Sequence, residues 1–233
     1  MSKLEGIRWF KTQFVGSIST GIRNTPFTLN LLSAIAVQES YSDAWGLLYT
    51  STPVADVLKR CVGDSLDYPS RSGTAFPKNR GALEAMTKPN GKRMFTIARA
   101  ALVDLAQYSK GYKKAAKNQD KFCHAFGIFQ YDIQFFPTNP DFFLQQRWAN
   151  FGDCLSLCLA ELGSVLKTLY GANKNTLSLE EMVYVAIGYN IGAKKVKVGK
   201  GFDQGFRDGD GTYYGQNIWD NLHLAQAVPD PGS

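Results

Sequence analysis

The hydrophobic residues of the chain recur mostly at helical spacing. Between Leu4 and Ile22, the residues Ile7, Phe10, Phe14 and Ile18 fall on one face of a predicted amphipathic helix. A second helix is predicted to begin at Thr25-Pro26 and to run toward Glu39, because proline suits the first helical turn. The same pattern predicts further helices from Pro53 to Gly63 and over 94–108, 152–171, 178–192 and 213–226.

Strand signals are few. The segment 125–133 is predicted to hold a short β element, whereas 64–91 carries three prolines and several glycines and is predicted to be rich in loops. The fold class expected from the pattern is therefore mainly α, with a very small β element.

The composition restricts the class of protein but does not indicate a function. The chain has 233 residues, of which 44% are hydrophobic and 20% charged, which suits one large globular domain. No apolar run approaches the roughly 18 residues that a membrane-spanning helix needs, so no membrane insertion is expected. The first six residues lack a secretory signal, so export is expected to be unconventional or the chain to be a mature form. Residues 227–233 are predicted to be a linker that leads to a further module.

Charge and motif content exclude several classes of protein. The net charge of +6 favours an anionic partner such as nucleic acid, anionic lipid or a wall polymer. No recognised nucleic-acid motif accompanies this charge, so a nucleic-acid partner is not expected. P-loop, dinucleotide and G-x-S-x-G motifs are absent, and two histidines are too few for a histidine-rich metal site. The four cysteines, Cys61, Cys123, Cys154 and Cys158, are predicted to be core thiols, and neither metal nor cofactor is expected.

Glu39 is the residue most suited to acid catalysis. It follows Ile35 by four positions and Leu32 by seven, so a continuing helix places its carboxyl on the apolar face. Burial there would raise the pKa of the carboxyl, as a general acid at neutral pH requires. The alternative is a glutamate at a helix end that turns outward to solvent.

Two later segments suit a carbohydrate cleft. Residues 124–132 combine a glycine, the aromatic side chains of Phe129 and Tyr131, the amide of Gln130 and the carboxyl of Asp132. Residues 188–192 place Tyr189 and Asn190 at the end of a helix. Aromatic rings can stack on sugar faces, while amides and carboxyls bind hydroxyl groups. The alternatives are an ordinary buried strand for the first segment and a helix C-cap for the second.

Taken in order, these segments resemble the lysozyme superfamily, and most closely goose-type lysozymes and the related lytic transglycosylases. The family pattern is a helix that ends in Glu-Ser, a Gly-Leu-Met-Gln-like block, a long helix and an Ala-Tyr-Asn-x-Gly block. This chain has Glu39-Ser40, Gly127-Ile128-Phe129-Gln130, the helix 152–171, and Gly188-Tyr189-Asn190-Ile191-Gly192. The resemblance covers residues 26–45 and 120–226. It implies an α+β lysozyme-like fold, a helical bundle around a substrate cleft.

The resemblance also implies roles for individual residues. Glu39 matches the family's catalytic acid, and Asp132 matches an aspartate that goose-type members carry after their own glutamine. Asp120 lies one position away from a second goose-type aspartate. In the goose-type picture these aspartates hold the water that attacks the anomeric carbon, which makes the reaction inverting. Gln130, Phe129, Tyr131, Tyr189 and Asn190 are expected to bind substrate.

The chain departs from the family pattern at three places. Phe129 replaces the usual Met, Gly188 replaces the usual Ala, and the interval from Glu39 to Gly127 is longer than in compact members. We expect one catalytic domain over 1–226, with 46–119 as a helical and loop insertion beside the cleft.

The resulting hypothesis is a muramidase that hydrolyses the bond between N-acetylmuramic acid and N-acetylglucosamine in peptidoglycan, acting at the bacterial cell wall. A lytic transglycosylase, a chitinase and a glycan-binding module without activity are the alternatives. The products formed from peptidoglycan discriminate among them.

Overall fold

The computed structural model describes residues 2–64 and 76–232 and is mainly helical, with one small three-stranded sheet. The chain forms two compact units. Unit 1 comprises Met1–Glu39 and Leu155–Ser233, and unit 2 comprises Ser40–Cys154. The expected single domain with an insertion at 46–119 stays a prediction.

The helices and strands of the described residues have the following bounds. The α-helices are α1 (Lys3–Gly21), α2 (Leu29–Ala36), α3 (Val54–Lys59), α4 (Arg80–Met86), α5 (Asn90–Tyr108), α6 (Lys113–Lys117), α7 (Pro140–Leu144), α8 (Phe151–Tyr170), α9 (Leu179–Ile191) and α10 (Tyr214–Ala227). The strands are β1 (Val62–Gly63), β2 (Ala125–Phe126) and β3 (Tyr131–Asp132). Among these residues, no helix is both long and apolar enough to cross a bilayer.

In unit 1, helices α1, α2 and α9 begin at side-chain caps. Ser2 and Glu5 form a capping box at the start of α1, and Ser178 and Glu181 form one at the start of α9. The predicted face of α1 is confirmed, since its four apolar residues are all buried. Further buried side chains of this unit come from α2, α8, α9 and α10, among them Leu32, Ile35, Leu162, Val183, Ile187, Ile218 and Leu222.

Unit 2 is built around a short sheet and an aromatic core. The strands are antiparallel in the order β1-β2-β3, with Val62 opposite Phe126 and Ala125 opposite Asp132. The predicted β element at 125–133 is therefore confirmed as β2, a turn and β3. The ring of Phe126 packs on Phe143 and Trp148, at centroid distances of 5.5 and 4.8 Å.

The second helix differs from its prediction at both ends. It begins at Leu29 rather than at Thr25-Pro26, because the Thr28 hydroxyl accepts a hydrogen bond from the Leu31 amide and caps the helix there. It ends at Ala36 and continues as a π-helical turn over Val37–Tyr41. Glu39 therefore lies on a π-helical turn and not on an α-helix.

The structure bears on three other sequence predictions. The helix predicted to end at Gly63 stops at Lys59, because Val62 and Gly63 pair with β2 as a strand. The loop predicted over 64–91 contains α4, and its residues 65–75 lie outside the described ones. All four cysteines are buried free thiols, which confirms their prediction as core residues.

The beginning of the predicted linker is held in place by a buried lysine. Lys11, which is 1% exposed, donates through Nζ to the carbonyls of Ala225 and Val228 at 2.8 and 2.7 Å. The same ammonium forms an ion pair with the Asp230 carboxylate at 2.7 Å. The first part of the predicted linker 227–233 therefore contacts α1, through the Val228 carbonyl and the Asp230 side chain.

Candidate functional site

Glu39 is held by α10 within unit 1. The Tyr214 hydroxyl donates a hydrogen bond of 2.7 Å to Oε1 of the Glu39 carboxyl, which is half-buried. Its neighbour Gln38 accepts a hydrogen bond of 3.3 Å from the Asn221 side-chain amide. The side chains of Gln38 and Glu39 are thus oriented by buried residues of one helix, and the carboxyl neither turns freely into solvent nor enters the core.

Burial keeps the Tyr214 hydroxyl protonated. Loss of water contact raises the pKa of Tyr214 well above its usual value, and the charge of Glu39 and its hydrogen bond act in the same direction. A protonated phenol remains a donor, so the bond to Glu39 persists at neutral pH. The Tyr189 hydroxyl lies close enough to contribute to the same electrostatic effect.

The 188–192 segment also anchors a loop that carries an exposed aromatic ring. The Asn190 side-chain oxygen accepts a hydrogen bond of 2.9 Å from the Phe206 amide, and the Phe206 carbonyl accepts one from the Tyr214 amide. The Phe206 ring is 45% exposed. Asn190, predicted to bind substrate, thus positions the loop beside Tyr214. Tyr189, the other predicted substrate ligand, is half-buried.

Gly188 departs from the family pattern for a steric reason. A Cβ atom at this position of α9 would clash with Cγ1 of Val165 on α8. The space that the usual alanine would fill is occupied by a valine from the neighbouring helix. The departure at 188 is therefore explained by the residue at 165.

We expect Gly188→Ala to destabilise unit 1 by about 2 kcal/mol, since over-packing forces atoms apart. Val165→Ala alone removes buried methyl groups and should cost about 2 kcal/mol. The double variant should lose less than the sum, because each change relieves the other. Gly163→Ala is the control: nothing lies within 4 Å of its Cβ position, so helix propensity should add about 0.5 kcal/mol of stability. Urea unfolding measures all four; strict additivity would contradict the steric explanation.

The turn between β2 and β3 has a fixed geometry in unit 2. Gly127 has a positive φ of 84°, and a Cβ there would lie 2.5 Å from Sγ of Cys154. Gln130 also has a positive φ, and its side-chain amide donates to the Gly127 carbonyl at 2.8 Å. The Ser40 hydroxyl donates to the Ile128 carbonyl at 2.7 Å. The Ser of the Glu-Ser pair therefore supports the Gly-x-x-Gln turn.

Two aromatic residues of this turn have packing roles. Phe129 is 2% exposed, and its ring lies 5.9 Å from that of Phe151. The ring is thus surrounded by protein in this structure, and its expected role in substrate binding stays a prediction. Tyr131 is half-buried and stacks between Phe135 and Phe143, at 4.9 and 5.7 Å. Gln130 has a half-buried side-chain amide, and one of its two N–H donors is used by the Gly127 carbonyl.

Both predicted aspartates have local partners in unit 2. The Asp132 carboxylate accepts a hydrogen bond of 2.7 Å from the Gln134 amide and caps the 3-10 turn Ile133–Phe135. Asp120 is 69% exposed and forms an ion pair with Arg80 at 3.4 Å. An exposed pair of this kind holds a carboxylate weakly. Asp132 thus lies at the end of β3, where its carboxylate caps the following turn. Asp120 lies on the surface.

Sequence reasoning missed a polar group beside Gln130. A Cβ at Gly63 would lie 2.9 Å from the Gln130 side-chain oxygen and 3.1 Å from the Tyr112 hydroxyl, so both oxygens converge on this glycine. The Tyr112 hydroxyl accepts a hydrogen bond from the Asp64 amide, and burial raises the pKa of this phenol far above its usual value. The Asp43 charge adds to that effect, and loss of water contact raises the pKa of Asp43 itself.

The missed residues left little trace in the sequence. Tyr214 lies at the predicted start of the last helix, where a tyrosine is unremarkable, and Tyr112 lies in a lysine-rich stretch. Only their three-dimensional neighbours, Glu39 for the first and Gln130 for the second, mark them. Within residues 2–64 and 76–232, no group of three His, Cys, Asp or Glu side chains is arranged to hold a metal ion.

Comparison of the chain with models of known protein families, with curated proteins and with solved structures finds no match. The likeness to the lysozyme superfamily therefore rests on the order and spacing of the short motifs in this chain. Membership of that family is a proposal.

Proposed function

We propose that the chain is a peptidoglycan-cleaving glycosidase in which Glu39 is the general acid. In this proposal Glu39 protonates the oxygen between N-acetylmuramic acid and N-acetylglucosamine as the bond to the anomeric carbon breaks. Asp132 accepts a proton from the water that attacks that carbon from the opposite side, which inverts the configuration. The enzyme would act at the bacterial cell wall.

The single observation that carries the proposal is the contact between Tyr214 and Glu39. A half-buried carboxyl that is held by one buried, protonated phenol has a fixed direction. Fixed direction matters because general acid catalysis requires the proton within hydrogen-bond reach of the leaving oxygen. An ordinary surface glutamate needs no such support from a buried tyrosine.

Two further features suit a wall polymer as substrate. The net charge of +6 favours binding to an anionic polymer, and attraction of this kind weakens as salt is added. The exposed ring of Phe206, fixed on both sides of its backbone by Asn190 and Tyr214, offers an apolar surface for a sugar ring.

A lytic transglycosylase is the second candidate, and the surroundings of the two aspartates favour it. Asp120 is paired with Arg80 at the surface and Asp132 caps a turn, so neither carboxylate is reserved for a water molecule. A transglycosylase needs no such group. Glu39 would act first as acid and then as base, while the C6 hydroxyl of the muramic acid attacks its own anomeric carbon.

Mass spectrometry of the fragments released from purified peptidoglycan tests the proposal. Reducing ends support hydrolysis, and 1,6-anhydro ends support the transglycosylase. Release of neither, under conditions where the protein binds the polymer, would replace both with a glycan-binding role.

Asp132→Asn tests the role of the second carboxyl without disturbing the fold. Asparagine also caps a turn through its side-chain oxygen, so the contact with the Gln134 amide should remain. We expect the rate of reducing-end formation to fall by about 100-fold, since the amide is no base. Binding to peptidoglycan should change little.

Asp120→Asn is the comparison for that variant, and it should have a smaller effect, because its carboxylate is exposed and paired with Arg80. If Asp132→Asn is fully active and the unmutated protein forms anhydro products, the transglycosylase mechanism replaces hydrolysis.

A further inference from the structure

A groove on the exposed side of α10 has a chemistry of its own. It is an open groove with a volume of about 400 Å³, lined by Phe202, Asp203, Thr212, Gln216, Trp219 and Asp220. Gln216, Trp219 and Asp220 are spaced i, i+3 and i+4, so they share one helical face. Tyr214 and Ile218 lie on the buried face of the same helix. The groove is thus separate from the contact between Tyr214 and Glu39.

The aromatic wall of the groove is fixed by neighbouring rings. The Phe202 ring lies 5.0 Å from Trp219 and 5.5 Å from Tyr184. The Trp219 ring in turn contacts His223 at 4.4 Å. Rings held in this way lose little conformational entropy when a ligand binds.

The loop that carries Phe202 is equally restrained. The Gly201 amide donates to the Tyr184 hydroxyl at 3.1 Å. The Gln204 side chain accepts from the Lys197 amide at 2.8 Å and donates to the Gly201 carbonyl at 2.7 Å. The wall is therefore formed before any ligand arrives.

Two carboxylates in the groove have no partner within the described chain. Asp203 and Asp220 are exposed, and neither side chain forms a hydrogen bond or ion pair with a residue of 2–64 or 76–232. The net charge of the whole protein is +6, so a groove with two carboxylates differs in charge from the protein as a whole. Charge complementarity favours a cation here and disfavours a phosphate or carboxylate.

We propose that this groove binds a primary ammonium at the end of an alkyl chain, as on a lysine-type side chain. The ammonium has three N–H donors, which suit the carboxylates of Asp203 and Asp220. The indole of Trp219 is the best aromatic partner for a cation, and the ring of Phe202 offers an apolar surface to the alkyl chain. The assignment goes beyond glycan cleavage and does not depend on it.

Binding of Nα-acetyl-lysine methylamide tests this assignment. We expect saturable NMR shifts of the Trp219 indole N–H during titration into the ¹⁵N-labelled protein. The same compound with an acetylated side-chain amine should give no saturable shift, because it has the chain but not the charge. Equal binding of the two compounds would overturn the proposal, and so would shifts produced by N-acetylglucosamine alone.

The double substitution Asp203→Asn and Asp220→Asn should weaken binding at least about tenfold, since each exposed carboxylate contributes roughly three- to fivefold. The matched control is Glu161→Gln with Glu180→Gln, which removes two exposed charges from unit 1 away from the groove. The control should bind as the unmutated protein does. If both double variants weaken binding equally, the ligand responds to overall charge and the groove is not its site.

Trp219→Leu is a second, independent variant. It removes the cation-binding ring and keeps both carboxylates, and backbone amide shifts of residues 203 and 212 then report the ligand. Weaker binding is expected, and unchanged affinity would contradict the proposed place of the ammonium. Glycan cleavage should persist in every groove variant, which keeps this test distinct from that of Glu39.

Discussion

Glu39→Gln is expected to reduce cleavage of peptidoglycan by at least about 1,000-fold while the fold remains intact. Glutamine keeps the shape of the side chain and can still accept the hydrogen bond from Tyr214, but it has no proton to give to the leaving oxygen. Release of soluble fragments measures the rate, and a thermal unfolding curve measures the fold. Retained activity would remove Glu39 from the mechanism and the glycosidase proposal with it.

Tyr214→Phe tests whether the orientation of the Glu39 carboxyl matters for the rate, since the acid itself is retained. The ring remains and only the hydroxyl that orients Glu39 is lost, so we expect an intermediate loss of about 10-fold with a shift in the pH profile of the rate. Glu180→Gln, an exposed glutamate in the first turn of α9, is the control and should leave the rate unchanged. A pH profile that does not move would show that the hydroxyl has only a packing role.

Lys11→Met is expected to give the largest loss of stability. Methionine fills the space of the alkyl chain but removes the ammonium donor from the carbonyls of Ala225 and Val228 and the cation from Asp230, and the Ala225 carbonyl keeps only the Val228 amide as a main-chain donor. Removing one partner from a buried charged cluster costs about 3 kcal/mol. For a chain of this length, we expect the midpoint of thermal unfolding to fall by about 9 °C.

Arg8→Met on the same helix is the matched control, because Arg8 is exposed and its loss should change stability by less than about 0.5 kcal/mol. Asp230→Asn should have an effect between the two, since its carboxylate is 49% exposed and can return to water. Equal midpoints for Lys11→Met and Arg8→Met would show that the buried ammonium contributes nothing.

The periodic parts of the chain could be predicted from the sequence. The apolar stripe of α1 and the capping box of α9 specify their helices locally, and the helices predicted over 4–22 and 178–192 are both present. The start of α2 could not be placed, because Pro26 and Thr28 are both good helix starts and only the cap formed by Thr28 decides between them. Local signals of similar strength leave such a boundary open.

The sequence indicated which segments contribute to the candidate site, but not the contacts of their side chains. The spacing of Glu39, Gln130 and Asn190 marked three segments, but not what their side chains contact. Phe129 lies among hydrophobic residues that are all buried, and no alternation of polar and apolar positions indicated which rings face solvent. Partners distant along the chain, such as Tyr214 for Glu39, follow from folding and leave no local pattern.

The direction in which the Glu39 side chain points depends on the number of residues in the π-helical turn Val37–Tyr41. Such a turn is in effect an α-helix with one residue too many, accommodated as a bulge. Deleting a single residue within it would restore the regular helix and rotate every later side chain by about 100°. If the deleted residue precedes Glu39, the carboxyl would then leave Tyr214 although neither side chain had been replaced. We therefore expect a single deletion at 37 or 38 to disturb the contact between Glu39 and Tyr214 more than most substitutions in this turn would.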